Sequence, residues 1–385
     1  MNNFLQTCIP SIGHSVDWPQ VERELEFHKK MLACPQEPAY HGEGDVWTHT
    51  KMVVDSLVSS AQWQALDERN RFICFWAALL HDMGKPLVTK MENGLLTSRG
   101  HSKVGAIDAR IWMWKTAVEF DIREEICQII EYHQLPFFLL KKENASFTAQ
   151  KLSWKLKWDN LILVATHDMI GRIYADKSKV LKDIEELDLW LECNEYKKAA
   201  YANDYTRFMF LRGNSSIDPK YPLFEPASAC QVIMLCGLPG SGKDSIIREQ
   251  YKGWLSVSFD EERKTLGIKP GQDSGPAVHA AFDKMRKYLR ENKNFIFNAT
   301  NLSIAQRKKA LDVFHNYSAR VKILYLEKPY LQLLQDDKKR VNSVGQKVIE
   351  QMLFKWEVPG IEEAREVEYN LILPKNQSKH EIRKI

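Results

Sequence analysis

The stretch Val232-Ile233-Met234-Leu235-Cys236-Gly237-Leu238-Pro239-Gly240-Ser241-Gly242-Lys243 decides how this chain is read. Five apolar residues run into a glycine-rich turn that closes on a lysine. A helix-compatible segment, 244–251, follows at once. In this order the backbone N–H groups can curl around one phosphate chain. The helix N-terminus adds its positive end, and Lys243 reaches the outer phosphates. The residue after such a lysine is normally Ser or Thr, whose hydroxyl holds Mg²⁺. Here it is Asp244, followed by Ser245. A carboxylate is also a hard-metal ligand, so residues 237–245 are expected to hold ATP with Mg²⁺.

Downstream, apolar runs at 254–259, 295–297 and 321–326 alternate with helix-like segments. This alternation predicts βαβ units and a mostly parallel sheet, with ligands at the carboxyl ends of its strands. Asp260 ends the second strand of the pattern. A carboxylate there can accept a hydroxyl proton as that oxygen attacks the γ-phosphate. Its plainer role is to cap the following helix. Arg263, one helical turn on, can grip a phosphate of the acceptor. Thr300 and Asn301 close another strand, and Asn301 is expected to contact phosphate. Asp337-Lys338-Lys339-Arg340 precedes a helix over 346–356 and reads as a lid, with Arg340 the cation over the nucleotide.

From about residue 21 to 174 the pattern is helical throughout. Segments 46–59, 69–80, 104–120 and 122–133 carry apolar residues at three- and four-residue spacing. Histidines cluster near the expected helix ends. His49 opens one helix. His81-Asp82 closes the apolar run 72–80. Asp168 lies in Thr166-His167-Asp168-Met169. A mixed imidazole and carboxylate set suits Mn²⁺, Fe²⁺, Co²⁺, Ni²⁺ or Zn²⁺. Adjacent His and Asp can serve one metal only where the helix breaks, and Gly84-Lys85-Pro86 supplies that break. Such ions bind phosphate oxygens and bring the pKa of water toward neutrality. Lys85 and Arg172 are candidate phosphate contacts. His41 is a candidate proton donor to the leaving oxygen. Each of the three also fits a packing or surface role. His167 reads as structural.

The order H…HD…D resembles the HD phosphohydrolase superfamily, helical metal enzymes that cleave phosphoesters. That resemblance adds His101 and His133 as ligands of a second metal, with Asp82 bridging. The later half resembles the 5′-hydroxyl polynucleotide kinases of RNA repair, matched by the phosphate loop, Asp260, Arg263, Thr300, Asn301 and the lid. In that family the aspartate is the general base, and the DxxR arginine binds the phosphate beside the attacking 5′-OH. From about residue 18 to 385 the chain resembles the bacterial HD-Pnk end-healing enzymes.

The resemblance implies an N-terminal all-α HD domain and a C-terminal α/β P-loop kinase with a parallel sheet. The boundaries read as 1–175 for the first, 176–228 for a helical extension and linker, and 229–385 for the second. The implied reactions are ATP-dependent phosphorylation of a 5′-OH and removal of a 2′,3′-cyclic, 2′- or 3′-phosphate. The implied cofactors are ATP and Mg²⁺ at one site, and one or two ions such as Mn²⁺, Ni²⁺ or Co²⁺ at the other. The implied partners are RNA strand ends, with DNA left open, and a separate RNA ligase. A homodimer is also left open. The alternative is a nucleotidase fused to a nucleoside or metabolite kinase. A third, non-enzymatic reading is a nucleotide-gated regulatory protein.

Composition sets the outer bounds. The 385 residues fit two or three domains. Apolar residues are 44% and charged residues 27%, too apolar for a disordered chain. The 54 Lys and Arg against 50 Asp and Glu leave +4, which excludes a histone-like polycation. No apolar run approaches the roughly 20 residues of a membrane span, and residues 1–10 lack a secretory pattern. Seven cysteines without a CxxC pair read as reduced thiols of a cytoplasmic protein. The tryptophans, including Trp112, Trp114, Trp154 and Trp158, read as core at helical spacing, and 141–157 as a solvated lysine face.

Overall fold

The computed structural model describes residues 3–213, 216–269, 272–372 and 380–384. The chain forms two compact units, Met1–Ala199 and Ala200–Ile385. No helix among the described residues is long and apolar enough to cross a membrane.

The first unit is helical. Its central helix, Glu68–Leu80, is buried without interruption from Phe72 to Leu80. A helix apolar all round must be wrapped on all sides. Val46–Ser59, Phe120–Tyr132 and Trp158–Ile170 pack on it, and His101–Lys115 packs on Phe120–Tyr132. Asp67 caps the central helix by accepting from Asn70 N at 2.7 Å. Asp45 caps Val46–Ser59 by accepting from Thr48 N at 2.9 Å. A small antiparallel hairpin, β1 (Lys90–Glu92) and β2 (Leu95–Thr97), interrupts the all-helical pattern. Its strands are three residues each, too short to register as alternation in the sequence. Trp47, Trp63, Trp76 and Trp158 are core residues.

The second unit is α/β. Strands β3 (Gln231–Cys236), β4 (Leu255–Ser258), β5 (Phe295–Asn298), β6 (Arg320–Glu327), β7 (Glu366–Ile372) and β8 (His380–Lys384) form one sheet, ordered β4-β5-β3-β6-β7-β8. The first five run parallel, and β8 pairs antiparallel with β7 at the edge. After β3 the chain builds first to one side and then to the other. β3 therefore lies at the switch point, where the carboxyl ends open a crevice.

Two boundaries differ from the sequence reading. The segment 176–228 is divided between the units. Lys177–Cys193 packs on Trp158–Ile170 because Ile184, Leu187 and Leu191 bury a continuous stripe. Asp204–Leu211 belongs to the second unit, where buried Arg207 donates to Arg365 O. The second strand stops at Ser258, and Asp260 stands in the first turn of helix Phe259–Thr265. Ser258 is the cap, its Oγ accepting from Asp260 N at 3.2 Å. Among the described residues no disulfide occurs, and six of the seven cysteines are buried.

Gly84 lies where the central helix ends. A Cβ there would stand 2.3 Å from His101 O and 2.5 Å from Gly105 N. Gly84→Ala therefore pushes His101–Lys115 away. Overpacking of this kind costs about 1–3 kcal/mol, or about 2–12 °C in Tm. Thermal melting followed by circular dichroism reads the shift, and an unchanged Tm would contradict the close approach.

Candidate metal centre and phosphate loop

Five helices bring their ends to one point in the first unit. His81 is the C-cap of Glu68–Leu80, and His133 the C-cap of Phe120–Tyr132. His101 opens its helix, His49 lies in the first turn of Val46–Ser59, and Asp168 in the last turn of Trp158–Ile170. Helix ends lack intrahelical partners, so side chains there turn toward a shared site without breaking a ladder.

Asp82 is the centre. Its Oδ2 lies 3.1 Å from His81 Nε2 and 3.8 Å from His49 Nε2. Its Oδ1 lies 3.2 Å from His101 Nε2 and 3.9 Å from His133 Nε2. Asp168 Oδ1 closes the first side, 3.1 Å from His49 Nε2 and 3.9 Å from His81 Nε2. Of the three metal-competent sets among the described residues, His49, His81, Asp82 and Asp82, His101, His133 share Asp82, and the third is His41, Glu43, His49. His49, His81, Asp82, His133 and Asp168 are all 0% exposed.

The tautomers are set from behind. The Nδ1 atoms of His81, His101 and His133 lie 2.7, 2.8 and 2.7 Å from the carbonyls of Ala78, Ser98 and Ile130. A carbonyl only accepts, so each Nδ1 carries the proton. In the neutral ring each Nε2 then keeps its lone pair, aimed at Asp82. Neither oxygen of Asp82 has a hydrogen bond of good geometry. Lone pairs facing a buried carboxylate, whose cationic partner Lys85 stands on one side, fit a divalent cation between them. Burial works to lower His81, but the charges of Asp82 and Asp168 outweigh it and raise it. Burial works to raise Asp82, but His81, Lys85 and His101 hold it well below the carboxylate range. His133 is pushed down to about 3, by burial first and then by His81 and His101.

Lys85 and Arg172 meet the cluster as partners of its carboxylates. Lys85 Nζ lies 2.7 Å from Asp82 Oδ2 and donates to Gln36 Oε1 at 2.6 Å. Arg172 donates through Nε and Nη2 to Asp168 and lies over the Phe137 ring at 5.3 Å. Both also line a cavity of about 350 Å³ above the cluster, together with His41 and His101. His41 Nδ1 stands 2.8 Å from Glu43 Oε1, and burial pushes its imidazole down to about 4. His167 bonds Ser56 Oγ at 2.7 Å, away from the ligand atoms.

Glu43 is the residue that sequence reasoning passed over. Its Oε1 faces His41 and also lies 2.9 Å from His49 Nδ1, while its Oε2 accepts from Ile173 N at 2.8 Å. It backs a ligand as a carboxylate behind an imidazole does in metal sites. A carboxylate between two nearby histidines was the available signal. Gln36 was passed over as well, because nothing local marks it.

In the second unit the loop 237–242 curls at the end of β3. Gly237, Gly240 and Gly242 have φ of 151°, 81° and 107°. A Cβ on Gly237 would meet Leu326 O at 2.6 Å, so the turn requires glycine there. Lys243 starts helix Lys243–Gln250 and donates from Nζ to Gly237 O and Leu238 O at 2.8 and 2.9 Å. Burial lowers it to about 8, opposed by Asp244 and reinforced by Arg340. Ser241 Oγ is buried without a partner. A glycine-rich turn at a helix start, a cation and an orphaned hydroxyl fit a polyphosphate. Asp244 is exposed and accepts from Asn298 Nδ2 at 3.0 Å, beside the loop.

Asp260 is solvent-facing and paired with Arg263 Nη1 at 2.6 Å, while Arg263 Nε also donates to Ser274 Oγ at 3.2 Å. Arg340 follows helix Tyr330–Lys338 and donates to Asp337 Oδ1 at 3.2 Å. Buried Asp337 also accepts from Ser343 Oγ, Val344 N and Gly345 N, so it shapes the lid turn. Asn301 differs from expectation. It is buried, its Nδ2 donates to Leu235 O at 2.7 Å, and its own carbonyl accepts from Arg307. It is a strut beneath the phosphate loop, and this geometry does not carry a direct phosphate contact. Lys328, also passed over, packs its stem about 3.7 Å from where a Cβ on Gly242 would stand and bonds Asp336 at 2.7 Å.

The sequence matches the HD domain family over residues 46–154 and the AAA domain family over 232–359. The Multifunctional CCA protein of Actinobacillus pleuropneumoniae serotype 5b (strain L20) is 31% identical over 104 residues. That match covers 27% of this chain and 24% of that protein's length. A putative kinase from Chloroflexus aurantiacus J-10-fl matches at 10% identity and TM-score 0.29, covering 33% of this chain and 76% of that one. A Pnkp1/Rnl/Hen1 complex matches at 16% identity and TM-score 0.28, covering 42% of this chain and 47% of that one. The chain carries an HD domain on its N-terminal side and a P-loop, kinase-like domain of the AAA kind on its C-terminal side.

Proposed function

We propose that this chain heals broken RNA ends, removing phosphate from one terminus and adding it to the other. The observation that carries the reading is the pairing, on one chain, of an Asp82-centred double ligand set with a phosphate loop flanked by Asp260 and Arg263. A hydrolytic centre and a kinase centre on one chain make sense when they serve the two ends of one break. Ribonuclease cleavage leaves a 2′,3′-cyclic phosphate and a 5′-OH, whereas ligation needs a 3′-OH and a 5′-phosphate. Joining would fall to a separate ligase.

In the helical unit, His49, His81, Asp82 and Asp168 would hold one ion, and Asp82, His101 and His133 a second. Such ions supply Lewis acidity and a water acidic enough to attack phosphorus. Lys85 and Arg172 neutralise the phosphate that enters above the cluster, while remaining tied to Asp82 and Asp168. Glu43 orients His49 and His41. His41 stands on the cavity wall to hold or pass a proton at the leaving oxygen.

In the α/β unit, residues 237–245 cradle ATP, and Lys243 turns from the Gly237 and Leu238 carbonyls to the outer phosphates. Asp260 accepts the proton of the 5′-OH. That oxygen bonds to the γ-phosphorus, the bond to the β–γ bridging oxygen breaks, and ADP leaves. Arg263 shifts from Asp260 to the acceptor's phosphate. Arg340 covers the nucleotide from the lid.

A short RNA with 5′-OH and 2′,3′-cyclic phosphate ends, incubated with ATP and Mg²⁺ or Mn²⁺, is expected to gain a 5′-phosphate and lose its cyclic phosphate. Phosphorylation of a nucleoside or sugar in preference to the RNA would sink the end-healing reading. Asp260→Ala is expected to remove kinase activity alone, and Asp82→Ala phosphatase activity alone. Loss of both activities in each folded variant would reject two independent sites. Glu43→Gln should lower metal affinity or phosphatase activity about 10–100-fold, measured by metal titration and product release. Chelator-treated protein should lose phosphatase activity and regain it with Mn²⁺, Ni²⁺ or Co²⁺. Undiminished hydrolysis after verified metal removal would contradict the ligand assignment.

A further inference from the structure

The cavity above the histidine cluster is walled by more than ligands. Hairpin β1–β2 and the segment after it contribute Leu96, Ser98 and Arg99, and the loop before Val46–Ser59 contributes Tyr40 and His41. These walls are pinned together. Leu96 N donates to Glu37 Oε2 at 2.9 Å, and the hydroxyls of Thr89 and Ser98 share a hydrogen bond of 2.8 Å. The hairpin is therefore a fixed part of the site.

We infer that this cavity seats one unpaired terminal nucleotide, with Tyr40 against its base and Arg99 on the backbone phosphate of the preceding nucleotide. The inference rests on the end-healing reading and adds a rule of selection to it. Three observations carry it. First, about 350 Å³ lies at the small end of the range of about 300–1,000 Å³ for small-molecule sites, room for one nucleotide rather than a duplex. Second, the cations at the two levels differ in character. Lys85 and Arg172 are buried and locked to carboxylates beside the cluster, where the scissile phosphate must lie. Arg99 is 85% exposed at the mouth, and its ion pair with Glu92 is loose at 3.8 Å. An exposed guanidinium on the cavity wall, apart from the buried cations, suits the next phosphate of a strand. Third, Tyr40 shows half its surface to solvent while its ring leans on Tyr174 at 5.8 Å between centroids. A supported, exposed aromatic face is a platform for an unpaired base.

The hydrolase then selects ends by shape. A paired end must fray before its last base can enter.

The test compares three substrates in steady-state kinetics: a short single-stranded RNA with a 2′,3′-cyclic phosphate end, the same end in a blunt duplex, and a mononucleoside 2′,3′-cyclic phosphate. The wild-type protein is expected to prefer the single strand over both others in kcat/KM. Arg99→Ala should reduce the preference for strand over mononucleotide about tenfold, chiefly through KM, and Arg99→Lys should restore part of it. Tyr40→Ala should raise KM for the strand and the mononucleotide alike and Tyr40→Phe preserve it, because a phenyl face stacks as well. A strand preference that survives Arg99→Ala, or a KM that Tyr40→Ala leaves unmoved, would overturn this seat while leaving end healing intact. A wild-type protein that releases no phosphate from RNA, or favours the mononucleotide, would instead overturn end healing and the seat with it.

Discussion

Four imidazoles and the carboxylate of Asp168 are packed, in the buried interior, around the side chain of Asp82. Three of those imidazoles hold their protons at the rear, on backbone carbonyls one helical turn back. Their lone pairs must then converge on a negatively charged group. That arrangement is repulsive unless positive charge lies inside it. The helical unit is organised around this requirement. Lys85 and Arg172 approach from the side, and helix ends rather than helix middles supply the ligands.

The phosphate loop poses the mirror problem. There the protein assembles a lysine and a helix N-terminus that suit an anion. Lys243 sits where burial pulls its pKa down to about 8, and the two loop carbonyls beside it take its hydrogen bonds. Asp260 and Arg263 likewise occupy each other. Both pairings are exchangeable, since a phosphate offers the same geometry with more charge. Asn301 and Asp337, by contrast, are committed to holding the loop and the lid turn in place.

The two sites differ in rigidity for a physical reason. Metal ligands must be correct to fractions of an ångström, and here all are buried and three histidines are also fixed by rear hydrogen bonds to backbone carbonyls. Kinase groups must change partners as nucleotide and acceptor arrive, and exposed Asp260 and half-buried Arg263 lie on one short helix, Phe259–Thr265. The hairpin over the metal cluster falls between these cases, pinned by side-chain hydrogen bonds yet carrying an exposed arginine.

Much of this was legible in the chain alone. The strand before Gly237 and the helical periodicity of Val46–Ser59 are local patterns, and local patterns survive folding. Even His49, His81, Asp82 and Asp168 could be grouped, because their residue types share one chemistry and Gly84-Lys85-Pro86 marks a helix end. What only the tertiary structure decided lies in contacts between distant segments. Glu43 stands behind His49, Asn301 serves the strand of Leu235 rather than a phosphate, and the helix 177–193 joins the first unit through its leucine stripe. The side-chain chemistry of each residue restricts what it can bind, but its partner depends on which surfaces close on it. That is settled only when the apolar faces of all the helices and strands are buried together.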